Sequence, residues 1–273
     1  MATHDHDRGF SHDLMTMAER AVNRRSLLRW AAGAGLLPLI GCSGTTSNVA
    51  DTSAAGASST GVDDGTCSTI PQETSGPYPG DGTNGANALA LTGIVRSDIR
   101  SSLAGASGVA AGIPLTVELK IVGATSGCTP IAGYAVYIWH CDQNGNYSMY
   151  SAAVANESYL RGVQETDANG VVTFTTIFPA CYSGRWPHIH FEVYPSLAMA
   201  TSGANAVATS QLALPEANCV DVFATSGYEA SVRNLAQVSL ASDMVFSDGA
   251  TLETPTVTGD VASGFVATLT VAV

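Results

Sequence analysis

The stretch GRWPHIHFEVY, Gly184 to Tyr194, decides how the rest of the chain reads. From His188 onward polar and apolar side chains alternate, with His188, His190 and Glu192 set against Ile189, Phe191 and Val193. A period of two marks a β-strand, because successive side chains leave opposite faces. One face suits a core and the other carries chemistry. Two imidazoles at i and i+2 stand on Cα atoms about 6.5–7 Å apart and can converge on one metal ion. Glu192 shares their face, but an extended strand sets it about 13 Å from His188, too far for all three to meet at one ion. Further ligands must come from other segments. The pair alone is short, and two hydrogen-bonded or exposed histidines would fit the same pattern.

Working outward, other segments are also strand-like. LTVELKIV (Leu115 to Val122) puts Leu115, Val117, Leu119 and Ile121 on one face and Thr116, Glu118 and Lys120 on the other. YAVYIWH (Tyr134 to His140) is apolar on both faces, as a central strand would be, and Trp139 and His140 read as core, with His140 hydrogen-bonded there. TDANG supplies a turn before VVTFTTIF (Val171 to Phe178), and GFVATLTVAV closes the chain. The one helix candidate is YEASVRNLAQV (Tyr228 to Val238). Short strands with Gly-rich connections predict an all-β fold, an antiparallel β-sandwich with long loops and few short helices.

Charge narrows the partners. The 273 residues carry a net charge of −12, and only 12% are Asp, Glu, Lys or Arg. The segment before Cys42 holds five arginines against four carboxylates, so the remainder stands at about −13. Such a surface repels nucleic acid and anionic lipid heads, and no basic patch interrupts it.

The N-terminal residues read as an address. Arg24 and Arg25 precede an apolar run from Trp30 to Ile40, too short to span a bilayer. That arrangement predicts a twin-arginine signal over residues 1–41. Leu39-Ile40-Gly41-Cys42 looks like a bacterial lipobox, with Cys42 as the lipidated residue and the lipid as the sole membrane attachment. Residues 42–66 are Ser, Thr, Gly, Ala and Asp in the main and read as a flexible tether. Residues 67–273 form one domain. The expected location is extracytoplasmic, where disulfides persist. Beyond Cys42 lie Cys67, Cys128, Cys141, Cys181 and Cys219, an odd number that allows at most two bridges.

Three ordered blocks carry a family resemblance: ETSGPYPG from Glu73, YIWHCDQNGNYSMY from Tyr137, and YLRGVQETDANGVVTFTTIFPACYSGRWPHIHFEV from Tyr159. Together they resemble the intradiol ring-cleavage dioxygenases, the protocatechuate and catechol dioxygenase family. The resemblance implies a mononuclear Fe(III) that opens a catechol-type substrate between its two hydroxyls with O2, giving a cis,cis-muconate-type diacid. It implies ligation by Tyr147, Tyr182, His188 and His190, with Tyr182 the tyrosinate that substrate displaces and that takes a substrate proton. It places Arg185 and Gln211 beside the substrate as catalytic groups, and Pro77 and Tyr78 along the pocket. The family commonly reads Arg-Pro-Ala-His where this chain has Arg185-Trp186-Pro187-His188, so Trp186 is expected to reshape the pocket mouth. The helical dimerising segment of the family's cytosolic members has no counterpart in these blocks, and the oligomeric state stays open. The competing readings are a catalytically inactive lipid-anchored sandwich that binds aromatics, and a Cu or Zn site on His188 and His190.

The address is open to a direct test. Arg24→Lys with Arg25→Lys is expected to hold the protein in the cytoplasm, and Cys42→Ala to free it from the membrane fraction. Cell fractionation reads both. Surface delivery of the first variant, or membrane retention of the second, would remove the corresponding reading.

Overall fold

The computed structural model describes residues 67–273. The signal expected over 1–41 and the tether over 42–66, with Cys42, lie outside the described residues. Among the described residues nine strands run in chain order: β1 (Pro114–Gly123), β2 (Thr129–Pro130), β3 (Ala135–Trp139), β4 (Arg161–Glu165), β5 (Val171–Ile177), β6 (His188–Tyr194), β7 (Ala208–Ala213), β8 (Thr256–Asp260) and β9 (Gly264–Ala272). Two short helices, α1 (Glu216–Phe223) and α2 (Glu229–Leu235), join β7 to β8. The first of these was not visible in the sequence pattern; α2 sits inside the expected segment.

The strands form two sheets. In one, β9 lies between β1 and β8, while β5 and the short β2 pair with β1. The other has the order β4-β3-β6-β7, antiparallel throughout. The first sheet differs from a purely antiparallel one at a single pair: β1 and β9 run parallel, from Leu115 beside Phe265 to Val122 beside Ala272. Parallel neighbours need a long crossover, and residues 124–263 supply it here.

The sandwich core follows the two-residue period. Leu115, Val117, Leu119 and Ile121 of β1 are at most 1% exposed. They share one apolar cluster with Val172 and Phe174 of β5, Ile138 of β3 and Ile189, Phe191 and Val193 of β6. The TDANG turn is built for its place: Asp167 Oδ1 accepts from the amides of Asn169 and Val171, both at 2.8 Å. Gly170 has φ 75°, and a Cβ there would lie 2.5 Å from the Ile121 carbonyl, so only glycine fits.

The segment from Ile94 to Ile99 laces the sheets together. It exchanges backbone hydrogen bonds with Val163 of β4 and then with Thr175 of β5. Among the described residues no helix is long and apolar enough to cross a membrane.

The outer face of the four-stranded sheet is not left to solvent. Loops carrying Ala88, Leu89, Ile94 and Tyr147 close over Tyr137, Trp139, Val163 and Tyr194 in a second cluster. One disulfide, Cys67–Cys128, joins cysteines 61 positions apart, and Cys141, Cys181 and Cys219 are buried free thiols. That is one bridge and three thiols. Closing a loop of this length should stabilise the fold by about 2–4 kcal/mol. Cys67→Ser with Cys128→Ser is expected to lower the denaturation midpoint correspondingly. An unchanged midpoint would show that the bridge contributes nothing.

Candidate active site

The pleat of β6 turns His188, His190 and Glu192 to the outer face, while the alternate residues enter the sandwich core. Cross-strand register builds a row on that face: Arg161 of β4, Trp139 of β3, His190 of β6 and Gln211 of β7. Trp139 therefore lies on the site side and not in the sandwich interior. Its ring stacks on that of His190, with centroids 4.9 Å apart and planes 5° from parallel.

Two loops bring phenols to the imidazoles. Tyr147 follows the QNGN turn, where Asp142 Oδ1 accepts from the amides of Asn144 and Asn146, both at 2.9 Å. Gly145 in that turn has φ 85°, and a Cβ there would approach the Tyr182 Cβ to 3.1 Å. The two phenol-bearing loops thus meet at a residue without a side chain. Tyr182 lies on the loop between β5 and β6, which α2 fixes. Cys181 donates its amide to Ser231 Oγ at 3.0 Å, and Asn234 Nδ2 donates to the Cys181 carbonyl at 2.8 Å.

The four candidate donor atoms converge. His188 Nε2 is 3.1 Å from His190 Nε2 and 3.3 Å from each of the Tyr147 and Tyr182 hydroxyl oxygens. The two hydroxyl oxygens are 3.4 Å apart. Donors held about 2.0–2.1 Å from a transition-metal ion stand at about this separation from one another. His188 Nδ1 donates to the Trp186 carbonyl at 2.5 Å, which leaves Nε2 as a bare lone pair. His190 Nδ1 is buried without an aligned partner. Among the described residues no group of three or more His, Cys, Asp or Glu could hold a metal ion, so any metal at this place depends on the tyrosines.

The electrostatics suit a cation. Burial, then Arg185, then the neighbouring imidazole, hold His188 well below the ordinary imidazole value, and His190 is lowered by burial and Arg185. Both rings are neutral near pH 7, as metal ligands must be. Burial pushes the Tyr182 hydroxyl up to about 12, and Tyr147 well above an ordinary phenol. A bound cation reverses that direction, because a metal favours the deprotonated ligand. Two neutral imidazoles and two phenols therefore fit a hard, highly charged ion.

Arg185 is 2% exposed. Its Nε donates to Asp243 Oδ2 at 2.9 Å and its Nη2 to Gln211 Oε1 at 2.6 Å, and Nη1 stands 3.4 Å from His188 Nε2. Gln211 in turn donates from Nε2 to the Thr74 carbonyl at 2.8 Å. Tyr78 packs on Tyr147 and Tyr150, with ring centroids 5.0 and 5.3 Å apart. Pro77 accepts from Asn84 Nδ2 through its carbonyl, and no described contact ties its ring to the four donors.

Trp186 differs from expectation. Its indole leaves the site for a separate cluster with Ala213, Val245, Phe246 and Ala250, where Nε1 donates to the Leu214 carbonyl at 2.8 Å. It does not shape a pocket mouth. Glu192 belongs to a buried carboxyl pair with Asp81 and accepts from the Tyr194 hydroxyl at 2.6 Å. It is no ligand. His140 is a core residue, bonded to the Cys141 carbonyl and Thr176 Oγ1.

Two residues escaped the sequence reading. Asp243 is fully buried; it accepts from Arg185 and from the amides of Trp186, Val245 and Phe246. Arg161 is 1% exposed and places all five N–H donors on neutral oxygens of Tyr78, Pro79, Tyr137 and Ser148. The SDM and LRG contexts carry no local signal for either role. Removing one partner of a buried ion pair strands the other, at a cost of about 3–5 kcal/mol. Asp243→Leu is expected to lose that much unfolding free energy, and Asp243→Leu with Arg185→Met to regain most of it. A double variant no more stable than the single would show that the two charges are not coupled.

Comparison with known proteins bears on this arrangement. The family model described as Dioxygenase matches residues 96–197. A solved intradiol ring-cleavage dioxygenase from Tetranychus urticae is 27% identical, with a TM-score of 0.58, over 76% of this chain and 94% of that one. A second solved dioxygenase gives the same identity and coverage with a TM-score of 0.59. The chlorocatechol 1,2-dioxygenase of Rhodococcus opacus is 40% identical over 58 residues, which span 21% of this chain and 22% of that relative. The matched segment holds the expected ligands Tyr147, Tyr182, His188 and His190, and in sequence and fold the chain is similar to intradiol ring-cleavage dioxygenases.

Proposed function

We propose that this protein cleaves a catechol-type ring between its two hydroxyl-bearing carbons with O2, giving a cis,cis-muconate-type diacid. Tyr147, Tyr182, His188 and His190 would hold a ferric ion. The observation that carries this reading is the convergence of two phenol oxygens and two imidazole nitrogens within 3.1–3.4 Å of His188 Nε2 or of one another. Two phenols in the donor set favour a hard trivalent ion over the softer Cu or Zn of a bare histidine pair. When bound, the ferric ion supplies Lewis-acid and template chemistry, drawing electron density from a chelated catechol so that the ring reacts with O2.

The chain's own residues do the remaining work. Tyr182 is on a loop, and its phenolate oxygen takes the proton that a catechol hydroxyl loses on binding. Arg185 Nη1 points at His188 Nε2, where it faces negative charge that develops on the ring. Asp243 and Gln211 hold the guanidinium in that pose. Tyr78 packs its ring against that of Tyr147 and so backs one of the donors. A twin-arginine signal and a lipid on Cys42 would place this chemistry outside the cytoplasm, with the site already folded when it crosses.

Ferric tyrosinate absorbs visible light, so iron-loaded protein is expected to be reddish and to turn catechol into a product with muconate absorbance. Tyr147→Ala, His188→Ala and His190→Ala should each lose iron and turnover together. Tyr182→Phe should keep part of the iron and shift the visible band. Arg185→Ala should keep the iron while kcat falls about 100-fold or more. Metal analysis beside a muconate assay decides each case; full iron with normal turnover in any of the Ala ligand variants strikes that residue from the site.

A further inference from the structure

The described residues hold six cations against sixteen carboxylates, a net charge of −10, and each cation can be traced to what it faces. Arg100 pairs with Asp98 at the surface, at 2.7 Å. Arg96 spends its guanidinium on the carbonyls of Ser101, Ser158 and Arg161. Lys120 is exposed on the outer face of the β1 sheet, across the sandwich from the donors. Arg233 is exposed on α2, about 200° round the helix from Ser231, the residue that meets the Tyr182 loop. Arg161 lies under the Pro77–Asp81 loop with every N–H already donated to a neutral oxygen. Arg185 alone reaches the donors, where it is already paired with the buried Asp243 and, in the proposed reaction, engaged by charge that develops on the ring.

Lys120 and Arg233, the two cations left exposed, lie off the donor face, so among the described residues no guanidinium or ammonium stands at the donors to meet a carboxylate that arrives with the substrate. The Tyr78 loop itself carries the opposite sign. Asp81 follows three residues after Tyr78, and its buried carboxylate accepts from the Thr83 amide and hydroxyl and lies beside the Glu192 carboxyl. A carboxylate leaving water without a partner loses hydration that nothing returns, and the acidic body repels it on approach.

We infer, given the ring-cleaving activity proposed above, that the pocket selects catechols without a ring carboxylate and turns away carboxylated ones, because no cation in it is free to offset a buried substrate charge.

The test compares 3,4-dihydroxybenzoate with its methyl ester, which keeps the ring and carbonyl but removes the charge, and with 4-methylcatechol as a second neutral substrate. The iron-loaded full chain is used at about pH 7.5, where the acid is ionised. The expected result is a kcat/KM for the ester at least about tenfold above that for the acid. The gap should narrow as salt rises from about 0.01 to about 0.5 M. An acid turned over as well as the ester, or better, overturns the inference while leaving the proposed activity intact. If none of the three is consumed, the proposed activity fails, and calorimetric binding of acid and ester still decides the charge question. Tighter ester binding by about tenfold supports it, and equal or tighter acid binding refutes it.

Discussion

The pleat of β6 commits each of its residues to one of two environments, and the rest of the molecule follows from that division. Ile189, Phe191 and Val193 are fully buried between the sheets. They cannot shift along the strand without turning the histidines inward, because a one-residue slip exchanges the faces. Core packing therefore holds the imidazoles in register. The neighbouring strands extend the same logic, since Trp139 and Gln211 stand opposite His190 by backbone pairing alone.

A polar site on a covered sheet face has to satisfy every group it buries. Two solutions appear side by side. Arg185 meets a carboxylate, Asp243, which also caps the turn at Val245 and Phe246. Arg161 meets none and instead divides its donors among four residues' oxygens, which ties the Tyr78 loop to the Ser148 loop. The first arrangement keeps a directed charge beside His188. The second uses a charge as a clamp between two walls.

What could be read from the sequence was local. The strand around His188, the alternation of β1 and the TDANG turn all reveal themselves within a few residues. Tyr147 and Tyr182 as candidate ligands required the family resemblance, because nothing in QNGNY or CYSG alone marks a metal site. Asp243 was out of reach: its partner Arg185 is 58 positions away. Arg161 binds Pro79 across 82 positions, and the parallel pairing of β9 with β1 is more distant still. Trp186 misled for a different reason. Its place beside the ligand strand suggested the pocket, but its indole N–H finds an acceptor in the Leu214 carbonyl and takes the ring elsewhere.

Placing the donors on the outer face also separates two kinds of change. The sandwich interior is built by strands, whereas the covering layer is built by the loops around Tyr78, Leu89 and Met149. Loops accept insertion and substitution far more readily than strands do. Lineages descended from such a chain can therefore exchange the walls around the donor cluster while the load-carrying sandwich stays fixed. Diversification of accepted ring shapes then proceeds by trading cover segments, and the histidine strand serves as the unchanging floor.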